Sequence, residues 1–139
     1  MACQMDKENK VNEVNEVNEV NASAGDQRPR AVFVLQHQNE QFDLMPFSIA
    51  RTWIEDKGVD VALYLMYEAV KLVRKEVIEQ RPDIREAVDY LLSKGVPIYA
   101  CGFCSRACQL NVDSYYPGIV VGNRHIFYSL MMERTVVNY

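Results

Sequence analysis

Cys101, Cys104 and Cys108 fall within eight residues of one another in the stretch "PIYACGFCSRACQL", and the only other cysteine of the chain is Cys3. Thiols at these spacings suit three kinds of chemistry. The C-x-x-C pair at 101 and 104 has the spacing of thiol–disulfide redox motifs. Taken together, C-x2-C-x3-C offers three thiolates to a metal ion or an iron–sulfur cluster. Zinc would ordinarily take a fourth ligand, and no second C-x-x-C exists. A lone thiolate with helpful neighbours is a nucleophile that can attack sulfane sulfur and carry it as a persulfide, by the logic of thiol–disulfide exchange. Against all three stands simple packing, because Cys104 and Cys108 are four apart and fit one helix face as small apolar side chains. Neither His37 nor His125 has a spacing that ties it to the cysteines.

The elements around these residues decide among the options. "AVFVLQ" (31–36), "VDVALYLM" (59–66), "VPIYAC" (96–101), "GIVVG" (118–122) and "RTVVNY" (134–139) are apolar runs of strand length. Between them, "LMPFSIARTWIEDKG" reads as a helix with Asp43 as N-cap, Pro46 in the first turn and Gly58 past the end. "AVKLVRKEVIE" is amphipathic but precedes Pro82 and predicts a helix or loop of broken character. "PDIREAVDYLLSKG" is an amphipathic helix with Ile84, Val88, Leu91 and Leu92 on one face and Gly95 as its stop. "NRHIFYSLMMER" is a further helix. Strands alternating with helices, and strands apolar almost throughout, predict a small doubly wound α/β domain with a mainly parallel sheet covered on both faces.

In such folds reactive groups gather at the carboxyl ends of the strands, where loops lead into helices. Cys101 falls at that place. The following segment would aim backbone N–H groups and the positive end of a helix dipole at the thiol, which favours thiolate. Gly102 permits a tight turn there and leaves room for another molecule, and Arg106 adds positive charge or points to solvent. Cys101 is therefore the candidate nucleophile, with Cys104 and Cys108 as auxiliary thiols or packing residues. Tyr67 and Glu68, ending the second strand, are candidate walls of the same pocket, Glu68 being equally readable as a solvated helix start. Asn123, with Arg124 and His125, follows the fourth strand; it reads either as a rim for an anionic or protein partner or as a plain helix cap. Tyr64, Tyr90, Tyr99, Trp53 and Phe47 read as core or subunit-interface residues.

"GVPIYACGFCSRACQL", preceded by "VALYLMYEAVKLV" and followed by "PGIVVG", resembles the DsrE/DsrF-like family over most of residues 31–139. The family pattern is a strand ending in a cysteine, then small residues, a basic residue and usually a glycine before the next apolar position. Cys101, Ser105, Arg106 and Leu110 occupy those places, and Gln109 stands where glycine is common. The resemblance implies a flavodoxin-like three-layer α/β subunit that assembles into trimers or hexamers. It also implies that Cys101 accepts sulfur as a persulfide and exchanges it with a small sulfur-carrier protein of the TusA type, with no cofactor and no metal. Cys104 and Cys108 depart from that pattern. They leave open an intramolecular relay, disulfide resolution or a bound metal, so a metal-binding module and a non-catalytic oligomeric scaffold stand as alternatives.

Bulk properties narrow the partners. The chain has 139 residues, 49% hydrophobic and 24% charged, with a net charge of -4. Lysine and arginine are scattered and no basic stripe advertises nucleic acid. No apolar run is long enough to cross a bilayer, and "MACQMDKENK" lacks the apolar core of a signal peptide. These features predict a cytoplasmic protein, where clustered cysteines work more often than they form structural disulfides. Residues 1–29 hold the "VNEVNEVNEV" repeat and read as a disordered low-complexity tail ahead of one domain over 30–139.

Overall fold

The computed structural model describes residues 28–139. Cys3 and the repeat of the N-terminal tail lie outside the described residues. Five strands form one sheet in the order β4-β3-β2-β1-β5, and every pairing is parallel. They are β1 (Arg30–Leu35), β2 (Asp60–Leu65), β3 (Ile98–Cys101), β4 (Val120–Gly122) and β5 (Thr135–Asn138). The helices are α1 (Leu44–Lys57), α2 (Lys75–Glu79), α3 (Pro82–Ser93), α4 (Gly102–Ala107) and α5 (Arg124–Glu133). The segment expected to be broken is so: a 3-10 helix over Tyr67–Val73 gives way to the short α2.

Alternation along the strands sorts the core into two layers. On one side Ala31, Phe33, Leu35, Val61, Leu63, Leu65, Ile98 and Ala100 pack with Phe47 and Ala50 of α1 and Ile84, Val88 and Leu91 of α3. On the other, Val32, Val34, Ala62 and Tyr64 pack with Leu130, and Ile126, Phe127 and Met131 of α5 close around them. Full burial of each such large side chain contributes about 1.5–3 kcal/mol. Both faces are covered, as expected, but unequally. One long helix serves the second face, because only the β4-to-β5 connection runs back past β1. Tyr64, Tyr99 and Cys101 belong to this thinner layer, and Cys101, at the strand end, also touches the first.

The helix ends follow the sequence with one exception. Gly58 and Gly95 take left-handed backbone past α1 and α3, with φ of 61° and 76°. Asn123 is extended and its side chain accepts the Ile126 N–H at 2.9 Å. Asp43, expected to cap α1, does not. Its own backbone is already helical, with φ of -61° and ψ of -28°, so its carboxylate cannot turn back onto the first-turn N–H groups. It accepts the Asn39 N–H at 2.6 Å instead and lies 3.9 Å from the Arg81 guanidinium.

Gln109 ends α4 in the left-handed region, with φ of 58°. Its N–H donates to the Arg106 carbonyl at 3.0 Å and the Leu110 N–H to the Ser105 carbonyl at 2.9 Å. That paired pattern is the Schellman helix stop, whose left-handed residue is usually glycine. Glycine is common at this place because the backbone demands it, and glutamine occupies it under strain. Gln109→Gly relieves a left-handed cost of about 1–2 kcal/mol against a glycine entropy penalty of about 0.5–1 kcal/mol. Urea denaturation should therefore show the variant more stable by up to about 1 kcal/mol, and a less stable variant would contradict this account of the turn.

Candidate functional site

Cys101 is at once the last residue of β3 and the N-cap of α4. Its backbone, with φ of -55° and ψ of 122°, turns the chain, and its Sγ accepts the Cys104 N–H at 3.4 Å. A sulfur thus sits where helices usually place a serine or aspartate oxygen. The turn is held from below by Ser105, which is fully buried. Ser105 Oγ donates to the Cys101 carbonyl at 2.7 Å and is bonded to the Tyr115 hydroxyl. Since the serine proton is committed to the carbonyl, the tyrosine is the donor of that second bond.

Two glycines make the site compact. A Cβ on Gly102 would stand 2.9 Å from the Gly122 carbonyl and 3.2 Å from a Val121 methyl. The space beside Gly102 is therefore filled by β4 and is not an opening for another molecule. A Cβ on Gly122 would stand 2.7 Å from the Tyr64 ring, so Gly122 is what lets that ring reach along the sheet. The Tyr64 hydroxyl lies 3.3 Å from the Asn123 carbonyl and also interacts with the Cys101 sulfur. Burial first, and the Cys101 sulfur second, push the Tyr64 hydroxyl well above its ordinary range and keep it protonated as a donor.

Cys104 lies beneath Cys101 and is buried. Its thiol is pushed up to about 11, by burial first and also by its contact with Cys101 and the proximity of Cys108; the Tyr67 N–H facing the sulfur opposes the rise. Cys108 is half-buried, and its Sγ lies 4.0 Å from the Tyr67 carbonyl. Tyr67 has a φ of 51°, a strained backbone for a residue with a side chain. Its main chain, with N–H toward Cys104 and C=O toward Cys108, lies beside these thiols. The residue is 57% exposed.

The remaining candidates divide. Arg106 is exposed, and its Nη1 curls back to 3.7 Å from the point a Gly102 Cβ would occupy. Glu68 pairs with Lys71 at 2.7 Å on the surface, as a solvated helix start would. Asn123 uses its side chain for capping and brings only its carbonyl to Tyr64. Sequence reading assigned Tyr64 to the core and passed over Tyr115. The register that pairs Tyr64 with Tyr99, two residues before Cys101, exists only in the folded sheet.

The three thiols converge without forming a cage. Among the described residues no group of three or more His, Cys, Asp or Glu side chains is placed to hold a metal ion. A cavity of about 110 Å³ at the carboxyl end of β1, lined by Leu35, His37, Asp43 and Tyr139 among others, contains none of the candidate residues. Among the described residues no helix is long and apolar enough to cross a membrane. The arrangement is that of one partly exposed cysteine whose sulfur meets two donors, with a buried thiol beside it.

Comparison with known proteins adds the lineage. The sequence profile of the DsrE/DsrF-like family matches residues 21–136. The ychN protein from E. coli has a similar structure, with a TM-score of 0.67 and 17% identity, over 80% of this chain and 99% of that one. A protein of unknown function from Methanobacterium thermoautotrophicum, MTH1491, gives a TM-score of 0.67 and 23% identity over the same shares. The fold is common to all three. No curated protein matches this sequence significantly.

Burial and protonation of Cys104 set an order of reactivity. Native-state alkylation at neutral pH, followed by peptide mapping, should modify Cys101 and leave Cys104 untouched. Cys104 should become reactive on unfolding or as the pH approaches about 11. Equal labelling of the two at neutral pH would contradict the geometry.

Proposed function

The chain belongs to the DsrE/DsrF-like family, and from that premise we propose that it is a sulfur-relay protein whose Cys101 carries sulfane sulfur as a persulfide. The observation that carries this reading is the position of Cys101, a partly exposed residue at a strand's carboxyl end whose Sγ faces the Cys104 N–H and the Tyr64 hydroxyl. In loading, the Cys101 thiolate attacks the outer sulfur of a donor R–S–SH; the new S–S bond forms on Cys101 and the donor leaves as R–S⁻, taking up the persulfide proton. In unloading, the thiolate of a small sulfur-carrier protein of the TusA type attacks that outer sulfur and Cys101 leaves as thiolate. No cofactor enters either step.

Several features support this division of labour. Negative charge resides on sulfur before and after each transfer, and donors placed in advance stabilise it without reorganisation. The Tyr64 proton has two acceptors in reach, the Asn123 carbonyl and Cys101, so it can turn to the sulfur as charge develops. Phe103 and Tyr67, 71% and 57% exposed, frame the site with aromatic surface of the kind that docks a protein partner. Arg106 supplies a positive charge beside it. At the sheet edge, Val120 and Val121 are exposed on β4; an open apolar edge strand fits assembly of this chain into trimers or hexamers. We place the protein in the cytoplasm, where free thiols persist, with neither nucleic acid nor membrane as partner.

Exposure to a sulfane-sulfur donor and measurement of intact mass should show one added sulfur, mapping to Cys101. Cys101→Ser should lose that adduct, and Tyr64→Phe should load about 10-fold more slowly, as expected for removal of one charge-stabilising donor worth about 1.4 kcal/mol. A Cys101→Ser chain that gains sulfur as readily as the unmutated protein refutes the assignment.

A further inference from the structure

Cys104 has no part in the relay so far described, yet it is the most constrained thiol of the three. It lies buried directly behind the sulfur that would carry the persulfide, out of reach of any external donor or carrier. Its thiol contacts the Cys101 sulfur. The Cys104 N–H donates to the Cys101 sulfur at 3.4 Å, which holds the two residues close across the turn, as a disulfide between them requires. Its sulfur also receives the N–H of Tyr67, which the strained left-handed backbone of that residue holds in place. A cysteine that only fills space needs no such donor. A cysteine that must become a thiolate in a buried position does.

We propose that Cys104 is a resolving thiol that converts the Cys101 persulfide into a Cys101–Cys104 disulfide and expels its outer sulfur as hydrogen sulfide. The step rests on the persulfide reading above. Cys104, as thiolate, attacks the inner sulfur, the one bonded to Cys101 Cβ. The new S–S bond joins the two cysteines, the old S–S bond breaks, and the outer sulfur departs with the electron pair. In sum, the Cys101 persulfide and the Cys104 thiol give one Cys101–Cys104 disulfide and one molecule of hydrogen sulfide. The two thiol sulfurs are oxidised by the two electrons that reduce the sulfane sulfur to sulfide. A dithiol reductant of the thioredoxin class returns the pair to thiols.

The geometry also sets when this happens. Kept protonated at neutral pH, Cys104 attacks slowly, so a carrier protein bound at the site takes the sulfur first. Without a carrier the persulfide is discharged as sulfide. The thiolate fraction of Cys104 grows about tenfold per pH unit below its raised value, and sulfide release should accelerate accordingly.

The test loads the full-length protein with inorganic polysulfide, removes excess donor, and follows intact mass and free sulfide without added thiol. In the unmutated chain the added sulfur should disappear while sulfide appears in equal amount, leaving a mass short of two hydrogens and a disulfide that maps to Cys101 and Cys104. Release should quicken as the pH is raised from neutral, a readout that needs no variant. Cys104→Ser and Cys104→Ala, each checked for cooperative unfolding, should retain the sulfur on Cys101 at least 10-fold longer. If sulfur loads on Cys101 and persists equally in all three chains, or if the disulfide maps to Cys108, the resolving role is overturned while the persulfide reading stands. If none of the chains loads sulfur on Cys101, the persulfide reading falls and this proposal with it.

Discussion

The bond from the Cys104 N–H to the Cys101 sulfur joins the end of a strand to the start of a helix through a thiol, and most of the surrounding structure serves to keep it. A side chain at Gly102 would drive α4 off β4, and one at Gly122 would push Tyr64 out of the sheet layer. Ser105 fixes the Cys101 carbonyl, and Tyr115 fixes Ser105. The register of β3 with β4 sets Cys101 opposite Gly122, which is why the small residue stands where it does. A sulfur held as a helix cap stays at the strand end, with one lone pair on the Cys104 N–H. The position of the Cys101 sulfur is a consequence of how the strand ends.

The layering explains why the site is open at all. Three of the four long connections pack on one face and leave the other to α5. β4 is an edge strand of the sheet, and its Val120 and Val121 remain exposed. The Cys101 thiol, at the end of β3, meets the thinner layer and lies beside that edge strand.

Much of this was legible in the residues. Apolar runs and their spacing identified the five strands and their parallel sense, and C-x-x-C directly after an apolar run placed Cys101 at a strand's carboxyl end. Asn123 was readable as a cap because capping is a local bond, three residues long. Asp43 was misread because the same local pattern also suits a turn, and only the backbone angles distinguish the two. Tyr64 and Tyr115 were not legible as site residues. Their hydroxyl partners lie 59 and 10 residues away, at distances in sequence that match no strand or helix period, so no local pattern pairs them. Tyr67 was placed at the site by its position after β2, yet its contribution comes from a left-handed main chain that its side chain does nothing to announce. Gln109 is the converse: family likeness flagged an odd residue, and φ of 58° supplied the reason.

The central claim is that sulfur is carried on one particular atom, Cys101 Sγ. A crystal structure of the protein treated with a sulfane-sulfur donor, frozen before the adduct decays, tests that claim most directly. The account predicts one extra sulfur bonded to Cys101 Sγ, within hydrogen-bonding reach of the Tyr64 hydroxyl. Extra density on Cys108, or a bare Cys101 in crystals whose mass shows added sulfur, would contradict it.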